Sequence, residues 1–505
     1  MPEIELKLAI EPSRRREFLR SPMLAGVPST RMRLANIYFD TPECALRHGQ
    51  MALRLRRGGR RWVQTLKAGH SGAGGLHARE EWEFDRPGPH LDLALFAETP
   101  LARIDEPATL HERLRPVFEV NFTRTAWRLE PAPGCRLEVA LDAGSVTSGA
   151  GREEISEVEI ECLEGDPAHA FALAARLIDD HGLRPSAISK AERGYRLFDG
   201  APLAPAKARA PHLDAAMTPL AAARAAVRAG LEQLQANEEG LIARDDPEFV
   251  HQARVALRRV RSALRTFRDA IGRDRADPLR RNLGEVASAL GVARDWDVFA
   301  TQGLPSATKA YGDPAIARSL RARAWRHRAR HREGARAALR STRYAHAILD
   351  LALWLAQPED GAPREDAVPL AGLASSFVRK GHKRLAAGAR RLAELSVEER
   401  HKLRIDTKRQ RYCVDTVAAL FKPRPVRAYL AAVEVLQDAL GSQNDATTAM
   451  RLLAELSPPE PFAAFARGWF SARAAGDPAS FGAFVALLSG APRFWKKAAK
   501  PRKQT

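Results

Sequence analysis

Period-two alternation of charge is the feature that most narrows what this chain can become. EIELK at residues 3–7 puts Glu3, Glu5 and Lys7 on one face of a strand and Ile4 and Leu6 on the other, because successive strand side chains point to opposite faces. The pattern returns through the first 200 residues. Arg54 and Arg56 share a face in ALRLR, Thr65 and Lys67 in VQTLK, and Arg79, Glu81 and Glu83 in REEWEF. Glu138 and Asp142 share one in LEVALD, as do Glu157, Glu159 and Glu161 in EVEIEC, while Arg124 stands in NFTRTAW. With Gly or Pro signals around most runs, this predicts an antiparallel all-β region of about eight strands. One such strand would be an ordinary half-buried strand with a solvated face. The set is different, because acids gather on some strands and bases on others. Eight strands can close around one ligand. With the charged face inward, clustered carboxylates would sit beside clustered Arg and Lys, and like charges in a confined space repel unless counter-ions bind. Divalent metal on the acids and a polyanion on the bases would resolve that conflict.

The rest of the chain reads differently. DPAHAFALAARLIDDH (166–181) has helix signals at both ends, and the Pro- and Ala-rich segment 201–212 suits an extended linker. Beyond it the sequence is Ala-, Leu- and Arg-rich with helical periodicity, so the fold class is α+β multidomain. The expected layout is a β domain over 1–200, a linker over 201–212, a helical domain over 213–495 and a basic tail over 496–505. Charge follows the same division: residues 1–200 hold 28 basic and 30 acidic side chains, and the remainder holds 52 and 31 within a net charge of +19. Such an excess implies an anionic partner. The four cysteines are scattered and read as reduced thiols. No apolar run approaches the ~18–20 residues of a membrane span, and no secretory signal is visible. A cytoplasmic protein is expected.

An internal duplication organises the helical part. HQARVALRRVR at 251 and HKLRIDTKRQR at 401 both read H-x-x-R-x-x-x-[RK]-R-x-R, and each is followed 40 residues on by a glycine (Gly291, Gly441) and then an aspartate (Asp295, Asp445). The 150-residue period implies two similar helical halves, about 213–365 and 366–495. On a helix, His251, Arg254, Arg258 and Arg261 fall within an arc of about 80°, as do His401, Arg404, Lys408 and Arg411, while Val250, Leu257, Val260 and Leu264 face the core. A solvated face normally interleaves acids with bases; these stripes carry almost none. They also lack the aromatic residues that stack nucleic-acid bases, so nucleic acid is disfavoured against a baseless polyanion.

The strand motifs taken together (EIELK, IYFDT at 37–41, LRLR at 53–56, QTLK at 64–67, REEWEF, LEVALD, EVEIE and SKAERGY at 189–195) resemble a CYTH domain, of the triphosphate tunnel metalloenzymes. The resemblance implies an eight-stranded antiparallel β tunnel with flanking helices that holds a triphosphate and Mg²⁺ or Mn²⁺. It matches Glu3, Glu5 and Lys7 to the catalytic signature, and Glu3, Glu5, Glu138, Asp142, Glu157 and Glu159 to metal ligation. Arg54, Arg56, Lys67, Arg79, Arg124, Lys190 and Arg193 match phosphate-binding positions; no role for Glu81 is assigned. It implies a phosphoanhydride hydrolase, with tripolyphosphate cut to pyrophosphate and phosphate. Thiamine triphosphatase, class IV adenylate cyclase and a non-catalytic, granule-associated polyphosphate-binding scaffold stay open as alternatives. His48, His70 and His77 are read as surface or loop residues. The duplicated half resembles a CHAD domain, an all-α duplicated helical bundle. That implies a basic groove for inorganic polyphosphate, lined by His251, Arg254, Arg258, Arg261, His401, Arg404, Lys408 and Arg411.

Overall fold

The computed structural model describes residues 3–69, 72–357, 370–392, 394–475 and 478–496. The expected repeat boundary near 365, His70 and the tail beyond residue 496 lie outside these. Two compact units emerge. One comprises Met1–Pro205 and Arg340–Gln357, and the other holds Ala206–Leu339 and the described residues that follow.

In the first unit, every long alternating run is a strand: β1 (Glu3–Ala9), β2 (Ser29–Asp40), β3 (Met51–Gly58), β4 (Arg61–Ala68), β5 (Leu76–Arg86), β6 (Arg115–Ala132), β7 (Cys135–Ser148) and β8 (Gly151–Glu164). The order is β5-β4-β3-β2-β6-β7-β8-β1, and β1 also pairs with β5, so eight antiparallel strands close on themselves. A two-residue strand, β9 (Arg184–Pro185), adds to β1.

The apolar faces explain which way the charges point. Leu6, Leu8, Leu137, Val139, Leu141, Val158 and Ile160 turn outward and are buried under Phe171, Leu177 and Ile178 of the helix Ala168–His181. Leu53 and Leu66 are covered by Leu93, Phe96, Leu101 and Leu110, whereas Phe118, Val120, Val146 and Ile155 share the strand face of Phe122 and Arg124 and pack on Tyr195 on the inner side of the ring. Burying one such aliphatic side chain contributes about 1.5–3 kcal/mol. Because side chains alternate, covering the outer faces sends the charged residues into the lumen.

The sequence reading counts residues 342–356 in the first helical repeat. In the structure the helix Thr342–Ala356 belongs to the first unit, where Ala345, Leu349 and Ala352 join the apolar cluster under β1, β7 and β8. Its buried positions run round most of its circumference, Tyr344, Ile348, Leu351, Trp354 and Leu355 among them, so it is stable only with apolar cover on several sides.

In the second unit, the helix pair Pro219–Ala243 and Pro247–Thr266 is repeated by Leu370–Arg390 and Val397–Val417. The duplicated Gly/Asp elements lie in the helices Gly284–Val298 and Pro423–Glu455. Val250, Leu257, Val260 and Leu264 are buried, as their phase requires. No described helix is long and apolar enough to cross a membrane.

Candidate functional site

Strand register assembles the lumen residue by residue. On β1, Lys7 stands opposite Glu159 and Glu5 opposite Glu161; on β7, Glu138 stands opposite Glu161 and Asp142 opposite Glu157. Arg124 of β6 faces Asp142, Tyr38 faces Arg54, Lys67 faces Glu81 and Thr65 faces Glu83. The result is a cavity of about 450 Å³ with an acidic bank (Glu5, Glu138, Glu159, Glu161) and a basic bank (Arg54, Arg56, Lys67, Arg79).

Beneath the acidic bank lies a dense ion cluster. Lys190 is the first residue of the helix Lys190–Phe198, and its Nζ lies 2.7 Å from Asp142, 2.5 Å from Glu157 and 2.7 Å from Glu159. Arg124 clamps Asp142 through two bonds of 2.8 and 2.7 Å and also contacts Glu159. Lys7 adds contacts of 3.2 Å to Glu159 and 3.6 Å to Glu5. Burial opposes ionisation of Glu159, yet Lys190, Lys7 and Arg124 outweigh it and hold this carboxyl well below its usual range. Glu5 goes the other way: burial first, then the negative charge of Glu159, raises it.

The sequence reading placed Lys190 and Arg193 near strand positions; both are helical. Ser189 accepts from Glu192 N, and the Glu192 side chain accepts from Ser189 N, which closes a capping box. The Tyr195 hydroxyl donates to Asp40 Oδ2 at 2.6 Å, and Asp40 also accepts from Thr41 and Leu46 backbone N–H groups. Gly194 is required here, since a Cβ would stand 2.2 Å from the Phe118 ring. IYFDT and SKAERGY thus hold each other, and their contact aims Lys190 at the acids.

Among the expected site residues, Glu5, Lys7, Arg54, Arg56, Lys67, Arg79, Arg124, Glu138, Glu159 and Lys190 line the cavity. Asp142 and Glu157 are buried behind it on Lys190. Arg193 is turned away and pairs with Glu153. Glu3 lies opposite Arg79 in the β1–β5 register, with its side chain outside the described residues. Glu81, left without a role, bridges Arg54 at 3.3 Å and Lys67 at 2.8 Å. His77 is corrected: it is a buried residue of β5, opposite Glu5, lining the cavity, and burial together with Lys7 and Arg79 keeps it neutral. Its strand phase was the missed signal. Tyr38, Glu83, Glu161 and Ser189 also line the cavity.

Two orphaned sets of atoms show what the lumen would accept. Arg54 Nε and Arg79 Nε are buried without a hydrogen-bond partner, and Arg56 is pushed down to about 10 by burial and by the charges of Arg54 and Arg124. These groups gain from an anion. Asp142, Glu157 and Glu159 have oxygens within 4.8 Å of one another but already share the Lys190 ammonium, whereas Glu5 Oε1 is buried without a hydrogen-bond partner beside Glu159, with Glu138 and Glu161 lining the same cavity. An all-oxygen, repelling donor set of this kind fits a hard divalent cation.

In the second unit, the two stripe helices pack together. Arg254 and Arg258 from one and Arg404 and Lys408 from the other converge, with Asp295 and Asp445 beside them. Burial, then the charges of Arg404, Arg258 and Arg254, push Lys408 down to about 7. Arg261 turns toward Arg280 instead, and Arg411 binds Gln437 at 3.2 Å and Glu434 at 3.5 Å. His251 is half-buried, and burial with the charge of Arg294 lowers its proton affinity; His401 is exposed.

Residues 1–195 match the CYTH domain family and residues 225–454 the CHAD domain family. The chain is 31% identical over 199 residues to an inorganic triphosphatase of Haemophilus influenzae, an overlap of 39% of this chain and 54% of that protein. It is 28% identical over 290 residues to an uncharacterized protein of Mycobacterium tuberculosis, covering 54% of this chain and 53% of the relative. The chain thus spans about half the length of the curated relatives it matches. The crystal structure of the CHAD domain from the plant Ricinus communis is 35% identical, with a TM-score of 0.50, covering 57% of this chain and 97% of that one. The chain belongs to the proteins that join a CYTH domain to a CHAD domain.

Proposed function

We propose that the first unit is a metal-dependent inorganic triphosphatase that converts tripolyphosphate to pyrophosphate and phosphate, and that the second unit binds inorganic polyphosphate. The observation that carries the reading is the lumen itself: a closed ring of strands holding a carboxylate bank against a guanidinium bank with unpartnered donors. Arg54, Arg56, Lys67 and Arg79 would hold the phosphate chain, the arginines through paired N–H donors and Lys67 as a point charge. Glu5, Glu138, Glu159 and Glu161, with Glu3, would hold Mg²⁺ or Mn²⁺, which neutralises non-bridging oxygens and polarises the attacking water. Burial and Glu159 raise the proton affinity of Glu5; a cation on this carboxylate would lower it again, so Glu5 would orient the attacking water as an ionised ligand. Lys190 and Arg124 keep Glu159 ionised and in place. Similarity to the Haemophilus influenzae triphosphatase supports the substrate class.

For the second unit the support is the convergence of Arg254, Arg258, Arg404 and Lys408, which outnumber the neighbouring acids Asp295 and Asp445. A cytoplasmic location, with association to polyphosphate granules, goes with that ligand. The test is phosphate release from tripolyphosphate, ATP, thiamine triphosphate and long-chain polyphosphate, with Mg²⁺ or Mn²⁺ and with EDTA. Release from tripolyphosphate that EDTA abolishes supports the enzyme. Absence of release from every substrate, with polyphosphate still retained, replaces it with a binding scaffold.

A further inference from the structure

A pair of histidines in the second unit plays no part in the reading above. His327 and His331 are one turn apart on the helix Pro314–Arg340, so both imidazoles leave the same face. Trp296 is buried beneath both. Its ring stacks on His327 at 4.7 Å and 21° and on His331 at 5.7 Å and 9°. The two imidazoles are themselves within 27° of parallel, 6.4 Å apart. One flat indole therefore sets both ring planes before any ligand arrives.

The third member comes from another helix. Glu455 ends the helix Pro423–Glu455, and the histidine-bearing helix fastens that end. Arg323, one turn before His327, donates to the carbonyls of Leu456 and Ser457 at 3.0 and 2.9 Å. As a result, a ring nitrogen of each histidine and a carboxylate oxygen of Glu455 all lie within 4.8 Å of one another.

We propose that His327, His331 and Glu455 form a binding site for a borderline divalent transition metal such as Zn²⁺, Co²⁺ or Ni²⁺. Two imidazole nitrogens with one carboxylate oxygen select these ions over Mg²⁺, which prefers oxygen alone. Ligands about 2.0–2.1 Å from a tetrahedral ion stand ~3.3 Å apart, so closure needs only small rotations of the exposed Glu455 and the imidazoles. Three protein donors leave a position for water or an anion. Arg451, 2.8 Å from Glu455, competes for the carboxylate and keeps affinity below that of a closed structural site. Trp296 and Arg323 are positioning residues.

The experiment titrates the full chain with Co²⁺ in excess Mg²⁺, which fills all-oxygen sites. Visible absorption, calorimetry and tryptophan fluorescence are followed in the wild type, Glu455→Gln and His327→Ala/His331→Ala. The expected result is one Co²⁺ per chain, with d–d bands of a nitrogen-containing site and quenching of tryptophan emission. Glu455→Gln should weaken binding at least about tenfold, no less than loss of an outer-shell partner does, and the double histidine variant should remove it. Glu455 is exposed, so its substitution leaves the fold intact as a check on the double variant. Equal Co²⁺ affinity in all three proteins, or no Co²⁺ bound above the Mg²⁺ background, overturns the proposal.

Discussion

Lys408 offers the sharpest test of the second unit. Burial and the neighbouring charges of Arg404, Arg258 and Arg254 bring its folded-state value down to about 7, so above neutral pH the empty site holds an amine and not an ammonium. A bound polyanion supplies the missing counter-charge and restores the proton, moving Lys408 back toward the ordinary lysine value near 10.4. Binding above pH 7 therefore takes up a proton, and affinity falls as pH rises. Full restoration makes binding on the order of tenfold weaker at pH 8.5 than at pH 7, with uptake of about one proton at the higher pH. Arg254, Arg258 and Arg404 stay charged across this window. The free protein shows the opposite trend: the unfolded chain binds the extra proton between about 7 and the ordinary lysine value, so Lys408's contribution to stability grows with pH there. Calorimetry with short polyphosphate, in two buffers of different ionisation enthalpy, measures both affinity and proton uptake. Lys408→Met should bind more weakly at pH 7 and lose the pH dependence. PH-independent binding by the wild type, or an unchanged slope in Lys408→Met, would refute the argument.

Three further outcomes are expected. Glu5→Gln should abolish turnover of tripolyphosphate while leaving the fold intact, and a normal rate in the phosphate-release assay removes Glu5 from the chemistry. Lys190→Met leaves Asp142, Glu157 and Glu159 without their shared ammonium, so urea denaturation should show a loss of about 3–5 kcal/mol. Part of that loss should return at lower pH, where protonating one carboxylate relieves the repulsion; a small, pH-independent effect would contradict the cluster's role. Gly291→Ala places a Cβ 2.8 Å from Arg254 Nη1, whereas Gly441→Ala meets nothing. The first should weaken polyphosphate retention by displacing the guanidinium, and the second should only stabilise its helix, by about 1 kcal/mol. Equal behaviour of the two on a polyphosphate column would show that Arg254 does not engage the ligand.

Alternation in β1, β3, β4, β5, β7 and β8 was legible because strand side chains have a strict period, and the duplicated stripes because helical spacing is equally strict. From those two periods the sequence by itself determined the strands, the helical repeats, the charged faces and most of the residues that line the lumen. It did not decide which side of the sheet is inside. That followed when the outer leucines and valines found cover from the helices Ala168–His181 and Thr342–Ala356, the second contributed from more than 130 residues downstream of β9. Nor did local pattern reveal that Lys190 begins a helix, that Asp40 and Tyr195 aim it, that Arg193 and Arg411 turn to other partners, or that His77 is buried. Each depends on what long-range packing places opposite a side chain, and burial and neighbouring charge, which set whether Glu5 holds a proton or Lys408 loses one, exist only once the chain has folded.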